Sequence, residues 1–218
     1  MARPMKILAV SDKVAKQLYR SDVKQHYPDV QLLVGCGDLP FYYLDFLVSS
    51  FDVPLVYVQG NHDGGLQYTA DGRTLSESVG GVNIHGRVVQ RKGLILAGLE
   101  GSMRYKPDCD LMYTENEMRR QVARLAPRLA LNRAKFGRAL DILVTHSPPF
   151  GIHDMPDLPH TGFKIFRSFL SIFQPKYMLH GHIHVWRNDA VCVTDFEQTC
   201  VMNVYPFRLF EFGERPLY

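Results

Sequence analysis

Gln31-Leu32-Leu33-Val34-Gly35 runs straight into Cys36-Gly37-Asp38: an apolar run of strand length that breaks off in glycines and a carboxylate. A short continuous apolar run bounded by turn residues marks a strand covered on both faces, which a parallel sheet requires. The pattern recurs on either side. Met5 to Val10 ends in Ser11-Asp12-Lys13, and Pro54 to Val58 ends in Gly60-Asn61-His62-Asp63. Between these runs, Val14 to His26 and Phe41 to Ser50 predict crossover helices, so the segment reads as successive βαβ units. Polar groups then gather at the carboxyl ends of the strands, where α/β sheets hold ligands.

Farther along, Val82 to Ile84, Arg87 to Gln90 and Leu94 to Ala97 are β-prone runs separated by glycines, which predicts antiparallel pairing in a second sheet. Thr114-x-x-Glu117 is a capping-box pattern opening a helix over Glu115 to Phe136, and Pro127 is expected to kink it or split it in two. Leu140 to Thr145 predicts a buried strand ending in His146-Ser147-Pro148-Pro149. Phe163 to Phe173 predicts a helix, and Tyr177 to Leu179 a strand that reaches His180-Gly181-His182-Ile183-His184. Runs at Ala190 to Val193, Cys200 to Val204 and Phe207 to Phe212 are expected to finish a sheet. With no repeat, linker or low-complexity stretch, residues 1–218 read as a single domain.

Composition narrows the class of function. A chain of 218 residues with 46% apolar content can bury a core without disulfide or metal staples. Its net charge of +3 is spread thinly, with none of the basic massing of a nucleic-acid-binding protein, so nucleic acid is not an expected partner. Cys36, Cys109, Cys192 and Cys200 form no CxxC pair and are expected to be buried thiols in a reducing compartment. The apolar run Ile7 to Val10 is too short for a signal peptide, and nothing approaches the roughly 20 apolar residues of a membrane span. A cytoplasmic protein with no membrane partner is expected. Oligomeric state is not legible.

The chemistry lies in five segments, each just after a predicted strand: Asp12, Asp38, Asn61-His62, His146, and His182 with His184. Carboxylate, amide and imidazole donors together suit a hard to borderline divalent cation such as Mn, Fe, Zn, Ni or Mg. In extended backbone, residues two apart point the same way, so His182 and His184 can face one pocket while Ile183 packs behind. His180 then points elsewhere and is expected to be structural.

Asp12, Gly37-Asp38, Gly60-Asn61-His62-Asp63, His146 and Gly181-His182-Ile183-His184 together resemble the signature of the calcineurin-like metallophosphoesterase superfamily, in the same order from Asp12 to His184. The resemblance implies an α/β fold, a four-layer αββα sandwich of two mixed β-sheets flanked by helices, with two divalent metal ions at one edge. By matching position it makes Asp38 the bridging carboxylate, places Asp12 and His184 on the first metal and Asn61, His146 and His182 on the second, and makes His62 the general acid. It implies hydrolysis of a phosphomonoester or phosphodiester in a small molecule by a bridging hydroxide. Asp63 is a candidate to orient His62. His153, Asp154 and His160 occupy the loop that lies over the active site in that family, which makes them candidates for substrate contact. Phe41, Tyr42, Tyr43, Tyr68 and Tyr105 are candidates for an aromatic wall, with core packing the expected role of most.

One departure qualifies the match. Where the family has Asp-x-His, this chain has Asp12-Lys13-Val14, and valine cannot coordinate. The first metal is therefore expected to bind more weakly than the second. The alternative is a catalytically weak or inactive binding scaffold on the same fold, favoured by Val14 alone, and a nuclease is disfavoured by the modest charge.

Overall fold

A computed structural model describes residues 4–68, 72, 74–107, 109–185 and 190–214. The first half runs β1 (Lys6–Val10), α1 (Val23–His26), β2 (Val30–Cys36), α2 (Phe41–Phe51), β3 (Leu55–Val58), β4 (Gln67–Tyr68), β5 (Thr74–Leu75) and β6 (Gly81–Asn83). Next come β7 (Val88–Arg91), β8 (Leu94–Leu99), β9 (Ser102–Met103), β10 (Met112–Tyr113), α3 (Glu115–Phe136) and β11 (Ile142–Thr145). The chain ends with α4 (Lys164–Phe173), β12 (Tyr177–His180), β13 (Val193–Phe196), β14 (Thr199–Asn203) and β15 (Phe207–Glu211).

Two mixed sheets form. One has the order β15-β1-β2-β3-β6, with only β15 antiparallel; the other has the order β13-β14-β12-β11-β8-β7, with antiparallel strands at both edges. Strand alternation explains the layering. Ile7, Ala9, Leu32, Val34, Val56 and Val58 of the first sheet meet Leu96, Ile142, Val144 and Leu179 of the second in a core between the sheets. The opposite faces are covered by helices. Leu8, Leu33 and Tyr57 pack with Phe41, Leu44 and Leu47 of α2, while Ala97, Leu143 and Met178 pack with Met118 and Leu129 of α3 and Phe166 and Phe169 of α4. The result is the four-layer αββα sandwich, whose strands are buried on both sides and so read as unbroken apolar runs.

Local structure departs from the sequence reading in four places. Val14 to His26 does not form a long crossover helix: only Val23–His26 is helical, and Ala15 and Leu18 reach the core from turns. The run Val82 to Ile84 joins the first sheet, because β6 pairs parallel to β3, and of the three runs only those forming β7 and β8 pair antiparallel, at one edge of the second sheet. Ala190 to Val193 becomes strand only at Val193. Pro127 neither splits nor ends α3, a continuous helix of 22 residues. Pro127 and Ala123, whose carbonyl loses its helical donor, are both on the solvent face, so water can satisfy that oxygen.

Cys36 and Cys200 are buried thiols, whereas Cys109 and Cys192 are half-buried. Phe41 and Tyr43 are core residues, Tyr105 is half-buried, and Tyr42 lies exposed against Tyr19. The side chain of Tyr68 lies outside the described residues. Among the described residues, no helix is long and apolar enough to cross a membrane.

Candidate metal centre

β1, β2 and β3 are neighbours in one sheet, β11 and β12 in the other, and all five donor segments leave the carboxyl ends of these strands. Backbone bonds tie the turns together: Asp12 N–H donates to Gly37 O at 3.0 Å, and Gly181 N–H donates to His146 O at 3.0 Å. Asp12 (φ 60°), Asp38 (φ 54°) and His182 (φ 67°) all adopt the left-handed conformation, at a cost of about 1 kcal/mol or more each. Two glycines allow the close approach. A Cβ on Gly60 would strike the Asp38 carboxylate, and one on Gly181 would strike Asp12.

Donor atoms of Asp38, His146 and His182 lie within 4.8 Å of one another. His146 Nε2 is 3.1 Å from His182 Nδ1, 3.0 Å from Asn61 Oδ1 and 3.4 Å from Asp38 Oδ2. The opposite ring nitrogens face backbone carbonyls, His146 Nδ1 on Cys36 O at 2.8 Å and His182 Nε2 on Pro159 O at 2.8 Å. A carbonyl only accepts, so each of those nitrogens carries a proton, and each imidazole, when neutral, turns its lone pair inward. Lone pairs of His146 and His182, a carboxylate and an amide oxygen thus converge on one point. They repel unless a cation lies among them, and a backbone carbonyl on the outer N–H is the usual support of a metal-ligating histidine. The donor set therefore fits a divalent ion.

The electrostatics show the same demand. Burial opposes charge on His146, yet the Asp38 carboxylate outweighs it and lifts the imidazole to about 9. His182, buried beside it, is pushed down to about 4. Burial would also raise Asp38, but His146 and the His62 backbone N–H on its Oδ1 (2.8 Å) hold its carboxyl well below the usual carboxylate range. A proton on His146 and a divalent ion are thus alternative ways to bring positive charge among these donors.

Asp12 and His184 form an adjoining pair, with His184 Nε2 3.6 Å from Asp12 Oδ1. Asp12 is also held from behind, both its oxygens accepting from His182 N–H at 3.0 Å. His184 is raised chiefly by its bond to Asp12 and stacks on Tyr205 with ring centroids 4.7 Å apart. Val14 packs partly buried against the apolar cluster beneath α2. His62 lies exposed at the rim, anchored through its backbone.

Several secondary expectations change. Asp63 does not turn to His62. Its Oδ2 accepts from Asp38 N–H at 2.7 Å and Gly60 N–H at 2.8 Å, so it clamps two donor loops together, and burial pushes its carboxyl up to about 7. Asp154 accepts from Gly151 and Gly162 N–H and shapes its own loop, while His160 comes over the centre, its ring 5.3 Å from that of His182. His153 turns inward into a partly buried chain: Thr194 Oγ1 to His153 Nε2 at 2.9 Å, His153 Nδ1 to His180 Nε2 at 2.9 Å, and His180 Nδ1 to Gly181 O at 3.0 Å. The terminal carbonyl fixes every proton along this chain, so both imidazoles are neutral and each donates toward Gly181. The sequence held no signal for the carbonyls of Cys36 and Pro159, because any residue supplies a carbonyl.

The profile of the calcineurin-like phosphoesterases matches residues 6–186 of this chain. The chain belongs to the calcineurin-like phosphoesterase family. Calcineurin-like phosphoesterases are in general metal-dependent hydrolases, and Asp38, His146 and His182 form a cluster able to hold a metal ion. No curated protein sequence matches the chain. Among solved structures it is similar to TT1561 of Thermus thermophilus, with a TM-score of 0.60 and 15% identity over 92% of this chain and 89% of that one. At that identity the likeness shows the fold alone. The Thermus thermophilus sulfate thiohydrolase SoxB, in complex with glycerol, aligns with a TM-score of 0.31 and 12% identity over 84% of this chain and 29% of its own.

Proposed function

We propose that this calcineurin-like phosphoesterase hydrolyses a phosphomonoester or phosphodiester of a small molecule at a centre for two divalent cations. The carrying observation is the inward turn of the His146 and His182 ring nitrogens onto Asp38 and Asn61, an arrangement of donors that fits a divalent cation. Asn61, His146 and His182 would hold one ion, Asp12 and His184 the other, with Asp38 shared between them. Bound ions of this kind activate water and neutralise charge on phosphoryl oxygens.

The chain's own residues then have distinct tasks. Asp63 keeps the Asp38 and Gly60 loops in register, so that the shared carboxylate and Asn61 meet the same phosphate. His62, exposed at the rim, donates a ring N–H proton to the departing alkoxide as general acid. His160 over His182 narrows the approach. The scaffold alternative has only Val14 in its favour, and a scaffold gives no reason to keep a repulsive donor set.

The test is hydrolysis of p-nitrophenyl phosphate and bis(p-nitrophenyl) phosphate with Mn, Ni, Mg and Zn supplied in turn, and with Asp38→Asn as control. Metal-dependent release of nitrophenol that is abolished in Asp38→Asn supports the reading. Activity surviving in that variant, or inactivity with every metal, contradicts it.

A further inference from the structure

Beside the metal centre is a second feature of the carboxyl edge. A cavity of about 780 Å³ is lined by Gln59, Ser78, Asn83, His85, Arg87 and Glu100, among others. That volume is within the range of small-ligand sites, about 300–1,000 Å³. Asn83 ends β6, His85 follows it, and Glu100 follows β8, each one strand outward from a strand that carries metal donors, β3 and β11. One strand step is about 4.8 Å. Gln59 joins the two places: its Nε2 donates to Asp63 O at 3.4 Å, its Oε1 accepts from Asn83 Nδ2 at 3.4 Å, and its carbonyl accepts from Gly101 N–H at 2.9 Å.

The polar groups of the cavity are fixed. Glu100 is 7% exposed, and its Oε1 accepts from Tyr113 O–H at 2.8 Å. His85 Nδ1 accepts from Glu100 N–H at 3.1 Å, so its proton is on Nε2, which lies 3.5 Å from the same carboxylate oxygen, too far for a good bond. His85 also stacks on Tyr113, ring centroids 6.1 Å apart at 14°. Glu100 Oε2 has no hydrogen-bond partner among the described residues. A nearly buried carboxyl with a free acceptor, next to an imidazole N–H and two side-chain amides, matches neighbouring hydroxyl groups, as carboxylates bind ribose. An anion would meet Glu77 and Glu100, and a cation would meet Arg87.

We infer that this cavity is the subsite for the alcohol portion of the substrate and that it selects phosphoesters whose alcohol carries vicinal hydroxyls. The inference rests on the phosphoesterase reading for its chemistry, but the ribose arm of its test does not.

Two measurements test it on the full chain. Saturation-transfer NMR with free ribose should show transfer from the wild-type protein that Glu100→Gln and Arg87→Ala each reduce at least about threefold. In the presence of Mn, the ratio of kcat/KM for ribose 5-phosphate to that for p-nitrophenyl phosphate should fall about tenfold in Glu100→Gln, the loss expected when one group that reads a hydroxyl is removed. Absence of transfer to ribose in the wild type overturns the subsite, as does a ratio that Glu100→Gln leaves unaltered. Transfer that depends on Glu100, in a protein that hydrolyses neither ester, supports the subsite and counts against the phosphoesterase reading alone.

Discussion

His146 and His182 show how far a histidine's role depends on what its far nitrogen touches. Both histidines were legible in the sequence because each stands just after a predicted strand, His146 after Leu140 to Thr145 and His182 after Gly181. Their protonation was not, because it is imposed by the carbonyls of Cys36 and Pro159. Removing the Asp63 clamp, as in Asp63→Ala, leaves Asp38 N–H and Gly60 N–H without acceptors; metal affinity should fall about 10–100-fold by calorimetric titration, in line with other supports behind metal ligands. An unchanged affinity would show that the loops hold themselves. Val14→His should tighten the weaker of two metal-binding events by about tenfold, a gain of only about 1.4 kcal/mol, whereas two equally tight sites in the wild type would contradict the role given to Val14. The partly buried His153 has its own signature. Burial pushes its imidazole from 6.5 down to about 4, so the unfolded chain takes up a proton first as pH falls. Its contribution is intact above about pH 6.5 and is lost progressively toward pH 4, by up to about 3 kcal/mol. The urea midpoint should therefore drop between pH 7 and pH 5, and by less in His153→Gln; equal drops would place the acid sensitivity elsewhere.

Elements were legible where one physical rule acted alone. β1, β2, β3, β11 and β12 are buried on both faces, so their apolar runs marked them directly. β6 was harder, since an apolar run does not reveal its partner, and only the long connection after β3 allows it to return parallel in the same sheet. Between Val14 and His26, the buried Ala15, Leu18 and Val23 have roughly helical spacing, yet turns carry the first two inward. Helix α3 was predicted by its capping box, which the structure contains in full, with Glu117 N–H on Thr114 Oγ1 and Glu117 Oε2 accepting from Thr114 N–H. Its proline misled because Met118, Val122, Leu125 and Leu129 anchor both halves to one core. Pro127→Ala should therefore stabilise the protein, by about 1–3 kcal/mol and several degrees in thermal midpoint. A midpoint that stays level or falls would mean that the proline serves the helix's path.

At the scale of the whole molecule, two sheets stacked through one apolar layer bring their parallel carboxyl ends to a common edge. That is how donors as distant in sequence as Asp12 and His184 come within 3.6 Å. Fold and donor set were legible together because the same strands create both. The hydroxyl-reading cavity was not, because Gln59, Asn83, His85 and Glu100 share no motif and meet only because β6 lies beside β3 in one sheet and β8 beside β11 in the other. The claim on which the rest depends is that the facing lone pairs of His146 and His182 surround a cation. An anomalous difference map from crystals grown with manganese addresses it directly. The expected result is a peak about 2.0–2.3 Å from His146 Nε2 and His182 Nδ1, whereas a map with no peak between those two nitrogens would contradict it.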